Sequence, residues 1–325
     1  MRILHVTPRF LPAIGGGERH VAALASEQAA RGHEVHVGTT KLVTEVPHRL
    51  EPSWPDDEVL GKVHVHRWSS RSTGLPLWGY GFTIPDLEAK VAALRPEVVH
   101  LHGYGYRTGD QLAAVRRRGA PWKLVMVSHG FIPGRGPMGP VKSLYSVLLG
   151  RRTVATLDAA IALSPRDEAT FKGLGARRVT IIPNGVDYER FAAARPDPAL
   201  LARLGFKGKG FVLSASRLEV IKGQDLLIEA FGSIAAKHAG VELLVASEGS
   251  AGPRFRALAE RVAPGRVRFA GRVTDDEVRA LMASALLFAH TPREEVFPLV
   301  LLEAMAAGLP VLATGVGGVP FECGG

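Results

Sequence analysis

The sequence predicts an α/β protein of two successive parallel-sheet domains, and three observations carry that reading. Short runs rich in Val and Ile alternate with longer amphipathic stretches. The alternation restarts after a strong turn signal, Pro183-Asn184-Gly185. At 325 residues, 46% hydrophobic and 22% charged, the chain has the length and apolar content for two cores.

In the first series the expected strands are Arg2–Thr7, Glu34–Thr39, Val63–Trp68, Val98–His102, Leu124–Ser128 and Ala159–Leu163. They are short and apolar on both faces, as strands buried in a parallel sheet should be. Helices are expected at Glu18–Arg31, closed by Gly32, and at Ile84–Leu94, stopped at Pro96. After Val179–Ile182 and the turn, the second series places strands at Phe211–Ala215, Val241–Ala246, Val267–Phe269, Ala285–Ala289 and Val311–Ala313. The helix Asp225–Lys237 shows Leu226, Leu227, Ala230, Phe231 and Ile234 at helical spacing. Two Rossmann-like domains, 1–183 and 184–325, are therefore predicted to face each other across a cleft. Ligands would bind at the carboxyl ends of the strands.

Composition excludes several classes. One cysteine, Cys323, forms no internal disulfide, and no Cys/His run has zinc-ligand spacing. No metal or cofactor is expected. The start, MRILHVTPRF, lacks a signal peptide's apolar core. Between Val296 and Phe321 the only charge is Glu303, but Pro298, Gly308 and Pro310 break any spanning helix. That stretch is expected to be a buried helix and a buried strand.

The net charge of +9 is uneven: 24 Lys+Arg face 15 Asp+Glu in 1–183, and 16 face 16 in 184–325. The basic half suits an anionic membrane surface or a phosphorylated acceptor, and equally a soluble basic surface. Arg116-Arg117-Arg118 and Arg151-Arg152 are isolated clusters without interleaved aromatics, so nucleic acid is not expected. Val141–Leu149 is apolar apart from Lys142 and precedes Arg151, which suits peripheral membrane attachment or a buried helix.

Three segments carry candidate chemistry. Gly15-Gly16-Gly17-Glu18 lies between the first strand and the first helix, where bare backbone and a helix N-terminus favour an anion, or simply make a tight turn. Arg217 and Lys222 share the loop after the first strand of the second domain. They would grip a diphosphate there, or be solvated surface charges. Glu295 lies in the loop before an apolar helix opened by Pro298 and closed by Gly308, and Glu303 lies inside that helix. A carboxylate in such a helix needs a partner, which a ribose diol or a buried cation would supply. Asp275-Asp276 follows Thr274 and reads as a capped helix start rather than a metal site.

The spacing Glu295–Glu303 is similar to the E-x7-E signature of family 4 retaining glycosyltransferases, which have the two-domain GT-B fold. Phe297–Pro310 resembles that family's LxxLEAMAxGxPVV stretch. Other segments match in family order: Gly15–His20, Gly32–Val35, Val98–His102, Ser128-His129-Gly130, Ile182–Asp187, Arg217–Gly223 and Gly315–Pro320. The resemblance implies a hexose transferred from a nucleoside-diphosphate sugar, the only co-substrate, to a carbohydrate or lipid-linked hydroxyl.

It also implies residue roles. Glu303 would hold the donor ribose and Glu295 a hydroxyl of the transferred sugar. Arg217 and Lys222 would hold the diphosphate, approached by Gly16 and Gly17. Backbone of Phe297, Pro298 and Leu299 would contact sugar or phosphate, and His129 would lie beside the anomeric carbon. The implied location is cytoplasmic, with peripheral attachment at the inner membrane face open. Acceptor choice is expected from Gly103–Gly109 and Ile132–Gly139.

The chain departs from the pattern where Val296 and Pro298 replace glycines, and it stops soon after Gly-Gly-Val-Pro. On the resemblance this implies a truncated, incomplete C-terminal domain. The rival readings are a nucleotide-sugar-binding fragment without turnover and a nucleotide-sugar epimerase.

Overall fold

The computed structural model describes residues 1–13, 15–44, 48–74, 81–130, 139–206 and 210–324, apart from the side chain of Lys142. The chain divides into two compact units, Met1–Pro183 and Asn184–Gly325. Among the described residues, no helix is long and apolar enough to cross a membrane.

Unit 1 runs β1 (Arg2–Val6), α1 (Gly16–Ala30), β2 (Glu34–Thr40), β3 (Asp57–Leu60), β4 (Val63–Trp68), α2 (Leu87–Leu94), β5 (Val98–His102) and α3 (Arg107–Arg117). It continues with β6 (Lys123–Val127), α4 (Gly139–Tyr145), α5 (Arg151–Val154), β7 (Ala159–Ala162), α6 (Pro165–Gly173) and β8 (Val179–Ile181). A π-helical turn, Ser146–Gly150, joins α4 to α5. The eight strands lie in the order β8-β7-β6-β5-β1-β2-β4-β3. Neighbours are parallel except the edge pair β3–β4.

Helices cover both faces of this sheet. Val21, Ala25 and Ala29, four residues apart on α1, pack with Val35 and Val37 of β2 and Val63 and Val65 of β4. Leu101, Leu112, Leu124 and Phe171 belong to a second, larger cluster. Gly32, at φ +86, ends α1 in the left-handed conformation that costs glycine least. From β1 the chain builds outward through β2 and β4, then returns to place β5 on the other side of β1. That reversal opens a crevice at the carboxyl ends of β1 and β5.

Unit 2 begins with α7 (Tyr188–Ala192) and α8 (Pro198–Arg203), then alternates β9 (Gly210–Ser214), α9 (Gln224–Ile234), β10 (Val241–Val245), α10 (Gly252–Val262), β11 (Val267–Phe269) and α11 (Asp275–Met282). It ends with β12 (Leu287–His290), α12 (Leu299–Ala306), β13 (Val311–Ala313) and α13 (Val319–Glu322). The all-parallel order is β11-β10-β9-β12-β13, with its reversal between β9 and β12. One face buries Ile228, Phe231, Phe255 and Leu258, and the other Leu213, Phe288, Leu301 and Ala304.

Four expectations are corrected. Helix α1 starts at Gly16, so Gly16 and Gly17 sit in its first turn rather than in the preceding loop. Helix α2 starts at Leu87, not Ile84. Strand β13 is an edge strand, and Leu312 on it is 55% exposed rather than buried. Leu226, Ala230 and Ile234, assigned to the core stripe of α9, are exposed, because Leu227, Ile228 and Phe231 are the residues that face the sheet.

Thr274 caps α11 with a reciprocal pair. Its hydroxyl accepts from the Glu277 N–H at 3.2 Å, and its own N–H donates to Glu277 Oε2 at 2.7 Å. Replacing Thr274 by Ala is expected to cost about 1 kcal/mol, and Phe255→Ala, at a fully buried site, about 3–5 kcal/mol. Urea unfolding followed by far-UV circular dichroism reads both, and an equal effect of the two would contradict this ranking.

Candidate active site

A compact polar constellation of unit 2 sits at the β9/β12 reversal. The chain leaving β9 passes through a 3₁₀ turn, Val220–Lys222, and the chain leaving β12 carries Glu295. Lys222 Nζ donates to Glu295 Oε2 at 2.7 Å, and His290 Nε2 lies 3.3 Å from the same oxygen. Glu295 Oε1 accepts from the Val296 N–H at 3.2 Å. Burial alone would raise the Glu295 carboxyl, but the His290 hydrogen bond and the Lys222 charge outweigh it and hold it down at about 2. The group is therefore a fixed carboxylate. Among the described residues, Lys222 spends one of its three N–H donors, on Glu295.

Supporting residues lace the two loops together. Arg293 pairs side-on with Asp225, Nη1–Oδ1 at 2.7 Å and Nη2–Oδ2 at 3.0 Å, and its Nη1 also donates to the Val220 carbonyl at 2.7 Å. Thr291 Oγ1 donates to the Gly223 carbonyl at 2.9 Å. Gly223 stands at φ +67 with the Thr291 carbonyl where a Cβ would be, so no other residue fits. Buried Gln224 donates through Nε2 to the carbonyl of Ser216 at 2.9 Å and its hydroxyl at 2.7 Å, shaping the turn that bears Arg217.

Arg217 itself is 65% exposed and bonds Glu219 at 2.8 Å. The structure thus unites Lys222 with Glu295 and leaves Arg217 on the rim. Glu303 lies one turn into α12 and is partly exposed, not enclosed in an apolar helix as expected. Phe297 and Pro298 are buried, and Leu299 opens α12. The Phe297 carbonyl accepts from Asn184 Nδ2 at 3.4 Å.

The Gly315–Pro320 segment has a structural explanation. Gly317, at φ +60, places its Cα against the Glu295 carbonyl, and a Cβ there would overlap that oxygen. Two residues of backbone contact, including Gly318 N to Val296 O at 3.0 Å, then hold the Glu295 loop in place. Glu322, on α13, was not singled out by the sequence. Burial, and next the Glu295 carboxylate, push its carboxyl up to about 8.

In unit 1, the β1/β5 reversal gathers histidines that lie far apart in sequence. His5 on β1, His100 and His102 on β5, and His129 after β6 form a cluster, with His20 of α1 edge-on to His129 at 4.9 Å between ring centres. Three-histidine groups suited to holding a metal ion arise among them, His5/His100/His102 and His20/His102/His129, which linear spacing did not reveal. His129 occupies the left-handed region at φ +47. The flanking Ser128 holds that turn: its hydroxyl accepts from the Gly130 N–H at 3.2 Å and donates to Asp167 Oδ2 at 3.3 Å. Gly16 and Gly17 start α1 beyond the carboxyl end of β1, and the side chain of Glu18 turns inward to Arg9. Of the expected acceptor loops, Gly103–Gly109 follows β5 directly, and Ile132–Gly139 lies outside the described residues except for Gly139.

Comparisons with known proteins match both units. The family model described as Glycosyltransferase Family 4 matches residues 14–190, and the one described as Glycosyl transferases group 1 matches 199–321. A phosphatidylinositol N-acetylglucosaminyltransferase subunit of Arabidopsis thaliana is 27% identical over 98% of this chain, which spans 68% of that relative. The glycogen synthase of Mycobacterium tuberculosis is 30% identical over 98% of this chain and 79% of its own length. Among solved structures, sucrose-phosphate synthase from Thermosynechococcus elongatus superposes with a TM-score of 0.76 at 20% identity, covering 98% of this chain and 82% of that one. HepE from Anabaena, solved with UDP, gives 0.70 at 24% identity, with 98% and 82% covered. These likenesses establish the GT-B fold, two Rossmann-like domains.

The histidine cluster makes stability pH-dependent. Burial lowers His5 to about 4, partly offset by its bond to Gln28, and burial with the nearby His20 lowers His129 to about 3. Both rings stay neutral in the folded chain and titrate near 6.5 when unfolded. The stability that these neutral rings contribute is complete above pH 6.5. It falls as pH drops toward 4, where only the unfolded chain takes up protons. Thermal melts from pH 7 to pH 4 should show that decline, shallower in His5→Gln; a slope unchanged by the substitution would contradict it.

Proposed function

The chain belongs to glycosyltransferase family 4, and we propose that it moves a hexose from a nucleoside-diphosphate sugar to an acceptor hydroxyl with retention of anomeric configuration. The observation that carries this reading is the Lys222–Glu295–His290 constellation at the strand-order reversal of unit 2. It offers an ionised carboxylate for sugar hydroxyls beside an ammonium with donors to spare for a diphosphate. Arg217, on the adjoining turn, would add a second cation, and Glu303 would take the ribose diol. The first N–H groups of α1, at Gly16 and Gly17, would favour a phosphate. The relatives and the UDP-bound neighbour named above support a nucleotide-sugar donor without choosing its base.

In the proposed step the bond from the anomeric carbon to the β-phosphate oxygen breaks while the acceptor oxygen bonds the same face of that carbon. The acceptor proton passes to the departing phosphate oxygen. Lys222 and Arg217 stabilise the negative charge that gathers on the diphosphate as the bond breaks, so their effect is greater in the transition state than in the ground state. His129 would stand on the acceptor side, with backbone from Phe297 to Leu299 against the sugar or phosphate. Resident metal or cofactor chemistry is not part of this proposal.

A carbohydrate or lipid-linked acceptor fits the surface of unit 1. Val141, Leu144, Val147, Leu148 and Leu149 are each at least 41% exposed, and exposed Arg151 and Arg152 follow them. Such an apolar strip edged by cations suits peripheral contact with an anionic bilayer, on the cytoplasmic side.

Two measurements test this reading. Calorimetric titration with UDP and with GDP should give saturable binding of one nucleotide, lost in Glu303→Ala; binding of neither would overturn the donor assignment. Arg217→Ala should lower kcat by about 10²–10³-fold, and unchanged turnover would remove Arg217 from the site. For the surface, co-sedimentation with phosphatidylglycerol vesicles should exceed that with phosphatidylcholine and fall in Leu144→Ser/Leu148→Ser, whereas equal partitioning would rule out the contact.

A further inference from the structure

The buried histidines of unit 1 form an ordered chain of hydrogen bonds. Gln28 Oε1, on α1, lies 2.7 Å from His5 Nε2. His5 Nδ1 lies 2.8 Å from His102 Nε2, and His102 Nδ1 lies 2.9 Å from His129 Nε2. These contacts use one nitrogen of His129 and both nitrogens of His5 and His102. Their protonation is set from one end. A carbonyl oxygen only accepts, so His5 must carry its proton on Nε2. A neutral ring has one N–H, which leaves His5 Nδ1 as an acceptor and requires His102 to donate from Nε2. The same step repeats at His102, whose Nδ1 then accepts from His129 Nε2–H.

We propose that Gln28, His5 and His102 are positioning residues that hold His129 in its Nε2-protonated tautomer, leaving Nδ1 to accept a hydrogen bond from the acceptor hydroxyl and orient it while the proton itself passes to the departing phosphate oxygen. The inference deepens the glycosyltransferase reading and rests on it for the role of His129, but the tautomer itself does not. Burial keeps all three rings neutral: it lowers His5 and His129, and it lowers His102 well below the ordinary histidine range, with His100 the next contribution there. Three flanking features fix the rings in place. His100 packs against His102 with the rings tilted by 32° and 4.3 Å between centres, His20 meets His129 edge-on, and the left-handed turn at His129 is pinned by Ser128. His100 stays outside the chain of bonds, its Nε2 without a partner among the described residues.

These rings, with His100 and His20, include two trios suited to a metal ion, so the two uses must be told apart. Two imidazoles on one tetrahedral zinc, with Zn–N near 2.0–2.1 Å, would hold their ligating nitrogens about 3.3 Å apart. The observed 2.8 Å between His5 Nδ1 and His102 Nε2 is an N–H···N distance.

The test is spectroscopic. In the full chain labelled with ¹⁵N-histidine, long-range ¹H–¹⁵N correlation distinguishes the two neutral tautomers, and single substitutions of each histidine assign the signals. His5, His102 and His129 should all be Nε2-protonated. Gln28→Leu should release the chain, giving His129 a mixture of tautomers and a kcat several-fold lower at unchanged donor KM. Gln28→Glu, which also accepts from His5, should restore both. An Nδ1-protonated His129 in the unaltered protein would overturn the proposal, as would one equivalent of tightly held zinc by elemental analysis. An unaltered His129 tautomer in folded Gln28→Leu would also do so, and the wild-type spectrum decides even if that variant fails to fold. The expected tautomers without sugar transfer to any acceptor would sink the catalytic reading and leave the chain of bonds standing.

Discussion

A carboxylate and an ammonium taken largely out of water must find each other, and Lys222 and Glu295 do so across the point where the strand order of unit 2 reverses. Each comes from a different loop, 73 residues apart in sequence. The pair is therefore only as good as the backbone that delivers it. Much of the local structure can be read as serving that delivery. Gly223 lets the Thr291 carbonyl come close, and Gly317 lets the last loop lie on the Glu295 peptide. Arg293 ties the β12 loop to the 3₁₀ turn and to α9. Removing any one of these leaves the charges present but loosens the distance between them, and a desolvated pair is least tolerant of that change.

Unit 1 solves a different problem with the same topology. Its reversal point holds neutral imidazoles rather than an ion pair. Neutral rings can be buried together at little electrostatic cost provided their nitrogens are matched donor to acceptor. The matching is directional, which gives the cluster a polarity that runs from α1 to the loop after β6. Both units thus place their polar groups at the carboxyl ends of central strands, beside the reversal of strand order.

Much of this was legible in the residues. Alternating apolar runs marked the strands because a parallel sheet buries both faces, and Gly32, Pro96 and Gly308 marked helix ends through backbone preference. The Glu295–Glu303 spacing and the Arg217–Gly223 loop pointed to the site through resemblance. What stayed hidden depends on topology. No local pattern says that β1 and β5 become neighbours, so His5 and His102 read as ordinary strand residues. Arg293, Gln224 and His290 are likewise visible only once the loops from β9 and β12 meet. The error at β13 has the same origin: a run as apolar as Val311–Ala313 reads as interior, and only the strand order places it at an edge. On α9, period alone marked a stripe wider than the face that meets the sheet.

The left-handed backbone at His129 sets up a conflict between durability and use. A side chain at that φ costs on the order of 1–2 kcal/mol that glycine would not incur. Glycine in place of His129 would relieve that backbone cost, but it would also leave His102 Nδ1 without its donor and remove the imidazole that the whole chain from Gln28 supports. The strain of the turn is thus set against the hydrogen bond that links it to the cluster, so the same residue both loosens the backbone and ties it to the core.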